Sequence, residues 1–411
     1  MKKNIIYKNF IQKQYLNSKS NKKLNSNYSK SLKKIIINLD YIKDSFHSLS
    51  KKFKINYNIK DLNKFKKYNS VVIIGMGGSI TGAEAIYNFL KKKIKKDFFF
   101  LSNIDEVNLF NLKKNINVNK TLFIVISKSG STTETLFNFA FLKIIQKNKK
   151  NIIVLSEKEK NPLYQLSKKM NFFHVEHKNY IGGRYSVLSE VGMLPAYLMG
   201  LNILKFRKNL LIHIRSKNKN FLKDSSIKLT KLLKNKKIKN LIFFNYVPQL
   251  DKFLFWCQQI IAESLGKKGL GFLPVISPAP KDHHSLLQLY LDGPKDKLFY
   301  VFSSEINDKT KISLKAFGKQ FDFLNNKSFN QIKKAQKNSF LQVLKKKKIP
   351  YREFKIKDFS EEVLGELFSY FILETAIIGQ LSNINPFNQP AVEQVKINTK
   401  KKIKLIYQIL F

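Results

Sequence analysis

The sequence predicts an α/β protein made of two tandem units, each a parallel β-sheet covered by helices on both faces. Three observations carry that prediction. Short, continuous apolar runs alternate with amphipathic stretches, as strands buried on both sides and joined through helices do. The rhythm occurs twice, before and after a very basic helical stretch at 216–239. The 411 residues, with a hydrophobic fraction of 43%, suffice for two domains of ordinary size with a sizeable core.

Taken in order, residues 1–45 are rich in Lys and Asn and weakly patterned, so a frayed start is expected, then a helix near 32–48. The first unit should place strands at 71–74, 98–101, 122–126, 152–155 and 172–175, with helices between them such as 83–96 and 134–146. The second should place strands at 241–246, 299–302 and 351–356 and helices at 250–265, 283–291 and 360–381. Asp358 and Glu361 have the spacing of a capping box for the last of these. A turn-rich break at 383–390 precedes a closing helix, whose first turn suits Pro390. The expected division is 1–45 as an N-terminal helical and basic segment, 46–205 and 206–382 as the two domains, and 383–411 as a closing C-terminal segment.

The formal net charge is +48. Specific base readout and bidentate phosphate contacts favour Arg, yet Arg occurs only at Arg184, Arg207, Arg215 and Arg352. Lys, Asn, Ile, Phe and Tyr, all abundant here, are the residues of A/T-rich codons. The charge is therefore read as coding bias on solvated faces, with no nucleic-acid partner, although the positive field still attracts anionic substrates. Cys257, the single cysteine, excludes an intramolecular disulfide and is read as buried filler in a reducing, cytoplasmic setting. No apolar run of about 18 residues predicts a transmembrane helix, and the N-terminus lacks the apolar core of a signal peptide. The six histidines show no metal-ligand spacing.

Six segments carry chemistry. Gly75-Met76-Gly77-Gly78-Ser79 follows a buried strand and opens a helix, where glycines let backbone N–H groups approach an anion. Ile80 rules out the dinucleotide fingerprint, and no Gly-Lys-Ser/Thr of a Walker loop follows. Ser127-Lys128-Ser129-Gly130-Ser131-Thr132-Thr133-Glu134 brings five hydroxyls and a lysine to a helix start, a phosphate cradle, and Ser131 with Glu134 has capping-box spacing. In Gly182-Gly183-Arg184-Tyr185-Ser186, a rare arginine offers a planar fork to an oxyanion. Gln259 and Glu263 share a helix face, Gly266 ends that helix, and the C-terminal dipole would make Glu263 a better base. His283 and His284 stand at an expected helix start, where the dipole favours a neutral, proton-moving imidazole. Gln389, Glu393 and Lys396 fall on one face of the closing helix. Each segment alone also has an ordinary structural explanation; together they suit proton transfer beside the carbonyl of a phosphorylated sugar.

The ordered set Gly-Gly-Ser, Ser-Lys-Ser-Gly-Ser-Thr-Thr-Glu-Thr, Gly-Gly-Arg-Tyr-Ser, Glu-Ser-x-Gly-Lys, His-Ser-x-x-Gln-Leu-Tyr and Gln-x-x-x-Glu-x-x-Lys resembles the glucose-6-phosphate isomerase family, in its shorter bacterial branch, from about residue 70 to Lys396. The resemblance implies two sugar-isomerase (SIS) domains, each a flavodoxin-like αβα sandwich, and a closing C-terminal helix. It implies interconversion of glucose 6-phosphate and fructose 6-phosphate through a cis-enediol. Ser127, Lys128, Ser129 and Thr132 would hold the phosphate; Gly78, Ser79 and Gln389 would line the sugar-phosphate site; Gln259 would position the substrate. Glu263 would move the proton between C2 and C1, Arg184 would steady the enediolate, and His284 and Lys396 would assist ring opening. Ser-x-x-Gln-Leu-Tyr directly follows His284, which singles it out beside His283. The resemblance further implies a homodimer with His284 contributed across the interface, and no metal or organic cofactor. Two other readings stay open: an isomerase that also accepts mannose phosphate, and a non-catalytic sugar-phosphate sensor on the same domains.

Overall fold

A computed structural model of the chain describes residues 4–16, 21–41, 43–147, 150–215, 219–306 and 310–410. The apolar runs of the first unit form five strands, β2 (Ser70–Gly75), β3 (Asp97–Leu101), β4 (Thr121–Ile126), β5 (Ile152–Ser156) and β6 (Phe173–Glu176). They pair in parallel in the order β3-β2-β4-β5-β6. Side chains alternate across the pleat and both faces are filled. Val71, Ile73, Leu122 and Ile124 enter one core; Val72, Ile74, Phe123 and Val125 enter the other.

The second sheet joins β7 (Asn240–Asn245), β8 (Leu273–Pro278), β9 (Lys297–Ser304) and the later strand β12 (Tyr351–Ile356) in parallel, in the order β12-β9-β7-β8. Between β9 and β12 a small antiparallel pair, β10 (Lys311–Ile312) with β11 (Lys327–Ser328), precedes the Phe329–Lys346 helix. The outer edge of β12 is covered by β1 (Ile5–Phe10), antiparallel, with Ile5 opposite Ile356 and Phe10 opposite Tyr351. One face of each sheet contributes to a shared core, with Leu241, Phe243, Tyr300 and Phe354 joining Val71 and Ile73. The Glu361–Leu381 helix runs through that core and is buried on nearly every side, which explains why most of its residues are apolar. The fold class is that predicted: two tandem α/β units with parallel sheets.

Several local expectations are corrected. The start is not a frayed lead-in to a helix at 32–48: β1 forms, the helix spans Asn21–Leu39, and 3-10 turns follow at Ser45–Leu49. Residues 1–3, 17–20 and 42 lie outside the described residues, as do 216–218, where the basic helix was expected to begin; that helix spans Lys219–Asn235. The 134–146 helix is two, Thr133–Phe141 and Ile144–Lys147, parted at Lys143 with φ of 51°. No capping box opens the Glu361–Leu381 helix: Ser360 is its N-cap without a side-chain cap bond, and Glu361 instead pairs with Lys93 at 2.7 Å.

Both sets of parallel strands reverse direction of addition beside their first strand, β2 and β7. In the first, β2 lies between β3 and β4, so the crevice at the carboxyl ends of β2 and β4 is the topological switch point where open α/β sheets bind ligands. The pairing of Gly75 with Ile126 puts the glycine turn directly beside the serine-rich loop.

Candidate active site

The glycine turn is a 3-10 element, Gly77–Ser79, followed by the Thr81–Leu90 helix. Its glycines are required by close approach. A Cβ on Gly78 would lie 2.2 Å from the carbonyl carbon of Gly183, and one on Gly77, where φ is +52°, would lie 2.9 Å from Gln259 Nε2. The turn therefore touches two other predicted segments, those of Arg184 and of Glu263. Ser79 is buried in the same turn.

The serine-rich loop leaves β4 at Ser127, whose N–H donates to Leu155 O. Gly130, at φ +59°, turns beneath Asn161, whose Oδ1 would lie 1.7 Å from a Cβ there. Ser127 Oγ and Thr132 Oγ1 are 2.8 Å apart, and Ser131 Oγ donates to Ser129 Oγ at 3.1 Å. The Ser131–Glu134 capping box does not form: Thr132 is the N-cap of the Thr133–Phe141 helix and makes no side-chain cap bond. The first-turn N–H groups of that helix therefore have no side-chain cap. The Lys128 ammonium donates to Asn179 O at 2.7 Å and lies 3.7 Å from Glu157.

Arg184 is buried, 3% exposed, on the 3-10 segment Gly183–Leu188. Its Nε donates to Ser264 Oγ at 2.8 Å, Nη1 to Gln389 Oε1 at 2.8 Å, and Nη2 to the carbonyls of Pro386 at 2.5 Å and Asn388 at 3.1 Å. Nη1 also lies 3.4 Å from Glu263 Oε1. Tyr185 supports this grip by bridging Ser264 Oγ at 2.9 Å and Pro386 O at 3.1 Å.

Glu263 stands in the last turn of the Asp251–Leu265 helix, which Gly266 ends as predicted. Its Oε2 accepts from Gln259 Nε2 at 3.1 Å. Gln259 Oε1 in turn accepts from Thr81 Oγ1 at 3.4 Å, which sets which end of the amide faces the carboxylate. The surroundings are not the bare helix end the sequence suggested. Arg184 faces the carboxylate, and Lys267 Nζ caps the helix by donating to the carbonyls of Glu263 and Ser264 at 3.0 and 2.8 Å. A cleft of about 780 Å³ opens here, lined by Glu263, Lys267, Asn385, Asn388, Gln389 and Val392 among others.

Two predicted residues stand apart. His283 and His284 are not at the start of a long helix: His283 ends a 3-10 turn, Lys281–His283, and the next helix is Leu287–Asp292. The two rings differ sharply. His283 Nε2 lies 2.7 Å from Tyr246 OH and packs against Phe244, and burial together with the neighbouring His284 pushes its pKa down. His284 is exposed, presented by a turn that Asp282 pins through Ser277 and Ser285. No hydrogen bond or ion pair among the described residues joins His284 to Glu263 or Arg184. Lys396 is exposed on the Pro390–Leu410 helix and pairs with Glu393 at 2.8 Å instead of reaching the cleft. The sequence reading missed Thr81, Ser264, Tyr185 and the carbonyls of Asn385, Pro386 and Asn388; Ser264 and Tyr185 lay inside motifs already singled out, whereas a carbonyl leaves no residue-type signal.

Among the described residues no helix is long and apolar enough to cross a membrane, and no three His, Cys, Asp or Glu side chains group so as to hold a metal ion. Cys257 is buried and its thiol is pushed well above its ordinary pKa by burial, so it is inert filler.

Comparison with known proteins gives a consistent result. The family model described as phosphoglucose isomerase matches residues 13–406. A probable glucose-6-phosphate isomerase of Methanococcus maripaludis is 33% identical over 350 residues, covering 82% of this chain and 79% of that protein. The glucose-6-phosphate isomerase of Mycoplasmopsis synoviae is 32% identical over 383 residues, covering 87% and 86%. Among solved structures, a glucose-6-phosphate isomerase from Chlamydia trachomatis superposes with a TM-score of 0.80 at 18% identity, over 98% of this chain and 89% of that one. A hypothetical protein from Thermus thermophilus superposes with a TM-score of 0.79 at 22% identity, over 97% and 100%. These likenesses establish the tandem sugar-isomerase-type fold.

Proposed function

Because this chain belongs to the phosphoglucose isomerase family and interconverts glucose 6-phosphate and fructose 6-phosphate, we propose that Glu263 is the base that carries the proton between C2 and C1. The single observation behind this assignment is the setting of its carboxylate: one oxygen accepts from Gln259, and the other faces the buried guanidinium of Arg184 at 3.4 Å. Removing a proton next to a carbonyl leaves an enediolate, and the free energy of that anion sets the barrier. A fixed cation in a water-poor site stabilises such charge by several kcal/mol, on the order of the ~3 kcal/mol seen when one oxyanion donor is removed elsewhere. Arg184 is fixed in this way by Ser264 and the carbonyls of Pro386 and Asn388.

Ser127, Lys128, Ser129 and Thr132 hold the phosphate at the switch point, with Gly78, Ser79 and Gln389 completing the sugar-phosphate site and Gln259 orienting the carboxylate. Phosphate binding supplies energy remote from the reacting carbons and fixes the skeleton over Glu263. His284 and Lys396 assist ring opening. His284 does so from the partner subunit of a homodimer, a role consistent with its exposure, whereas its neighbour His283 is half-buried against Tyr246. The division into domains at 46–205 and 206–382, with β1 contributed to the second sheet from outside it, and the cytoplasmic setting belong to the same proposal.

A coupled assay of fructose 6-phosphate to glucose 6-phosphate, run on the wild type and on Glu263→Gln, tests the assignment. The variant keeps the shape and the Gln259 contact but cannot accept a proton, so kcat should fall by about 10²–10⁴ with KM little changed. Full activity in the variant would refute Glu263 as the base.

A further inference from the structure

We propose that Lys267 is a positioning residue of the reaction, whose ammonium group ties the active-site end of the Asp251–Leu265 helix to the 383–389 segment and so sets Glu263 against Arg184. The inference rests on the reading of Glu263 as the base.

A lysine ammonium has three donors and no acceptor. Here they go to three carbonyls: Glu263 O at 3.0 Å, Ser264 O at 2.8 Å and Asn385 O at 2.9 Å. The first two belong to the last turn of the helix, where carbonyls lack helical partners. The third lies next to Pro386, whose carbonyl is held by Arg184 and Tyr185 from the first unit. One loop is thus gripped by Arg184 on one side and Lys267 on the other. Glu263 stands between them, with its own backbone carbonyl in Lys267's grasp. Misplacing a catalytic group by about 1 Å costs up to about 10² in rate, so a tether at the base's own peptide matters.

The charged groups facing the ammonium are Glu263 on the preceding helix and Arg184 from the first unit; the 383–389 segment offers a carbonyl, and Lys268 turns to Asn383 O at 3.2 Å. Burial, and then the nearby Arg184, hold Lys267 down at about 8, with Glu263 opposing them. The tether is therefore charged at neutral pH and loses its charge as pH rises through that value. Activity that depends on it declines over the same range.

The test compares the wild type with Lys267→Arg and Lys267→Met, measuring kcat and KM for fructose 6-phosphate from about pH 6 to about pH 10, with thermal unfolding as a check on folding. Lys267→Met should lower kcat about ten- to a hundredfold, change KM less, and lose the alkaline limb near 8. Lys267→Arg should recover much of kcat and carry the limb well above that value, because guanidinium stays charged. Wild-type kcat in Lys267→Met, or an alkaline limb unmoved in Lys267→Arg, overturns the proposal; should the methionine variant not fold, the arginine profile decides alone. An inactive wild type would instead overturn the function proposed above.

Discussion

At Gly78 the site depends on a hydrogen atom standing where every other residue carries a Cβ. That Cβ would lie 2.2 and 2.3 Å from the carbonyl carbon and oxygen of Gly183 and 2.5 Å from Arg184 N. These are backbone atoms, so no rotamer change relieves the clash. The glycine turn must withdraw, or the Arg184 segment must. Either movement strains the bonds from Arg184 to Ser264 and to the carbonyls of Pro386 and Asn388. Gly78→Ala should therefore cost about 1–3 kcal/mol, the range for overpacking, seen as a lower urea midpoint, and kcat/KM should fall with it. Gly183→Ala provides the comparison. Nothing lies within 4 Å of a Cβ built there, so it should be the milder change in both measurements.

At the scale of elements, the second unit is stapled at a point far from the chemistry. Arg352 on β12 is fully buried and grips Glu374 of the Glu361–Leu381 helix through two bonds at 3.0 and 2.7 Å. Its Nε reaches Asn9 on β1 at 3.0 Å, so strand, helix and edge strand meet at one guanidinium. Glu374→Gln preserves volume but leaves a buried cation without its counter-charge, which should destabilise the fold by about 3–5 kcal/mol. Replacing both partners with apolar residues, Arg352→Met with Glu374→Leu, should recover much of that loss in urea unfolding.

This staple was not legible in the sequence, and the reason applies widely. β2, β4 and β5 could be read directly because both their faces are buried and every residue in the run is apolar. β1 and β8 could not: β1 covers an edge with lysine and asparagine in its run, and β8 carries Pro274 and Pro278, which argue against a strand interior. Their place is decided by the neighbour they pair with. The site divides in the same way. Gly78, Ser127, Arg184, Gln259 and Glu263 stand in short motifs whose spacing encodes their chemistry. The bonds from Arg184 to Ser264 and Pro386 span 80 and 202 residues, and half of them end on carbonyls that every sequence position possesses. Capping boxes at Ser131–Glu134 and Asp358–Glu361 had the right spacing, yet Ser131 Oγ turns to Ser129 and Glu361 to Lys93. Local patterns yield where another partner holds the same group.

At the scale of the whole molecule, the single chain leaves two predicted catalytic residues outside the cleft and an apolar surface uncovered. Val392, Val395, Ile397, Ile403 and Leu405 on the Pro390–Leu410 helix are all more than a third exposed. A second copy that covered this helix and brought its own exposed His284 to the Glu263 site would answer both. The interface would be isologous, so each site would combine Glu263 of one protomer with His284 of the other. With +48 on each chain, association works against repulsion and should tighten as salt rises. Subunit mixing tests the arrangement more sharply than any measurement of mass. His284→Ala and Glu263→Gln homodimers should each be nearly inactive. After exchange, half the dimers are mixed, and each mixed dimer carries one site with both groups intact, so activity should return to about a quarter of the wild-type value. If His284 served the Glu263 of its own chain, every site in the mixture would lack one of the two, and no activity would return.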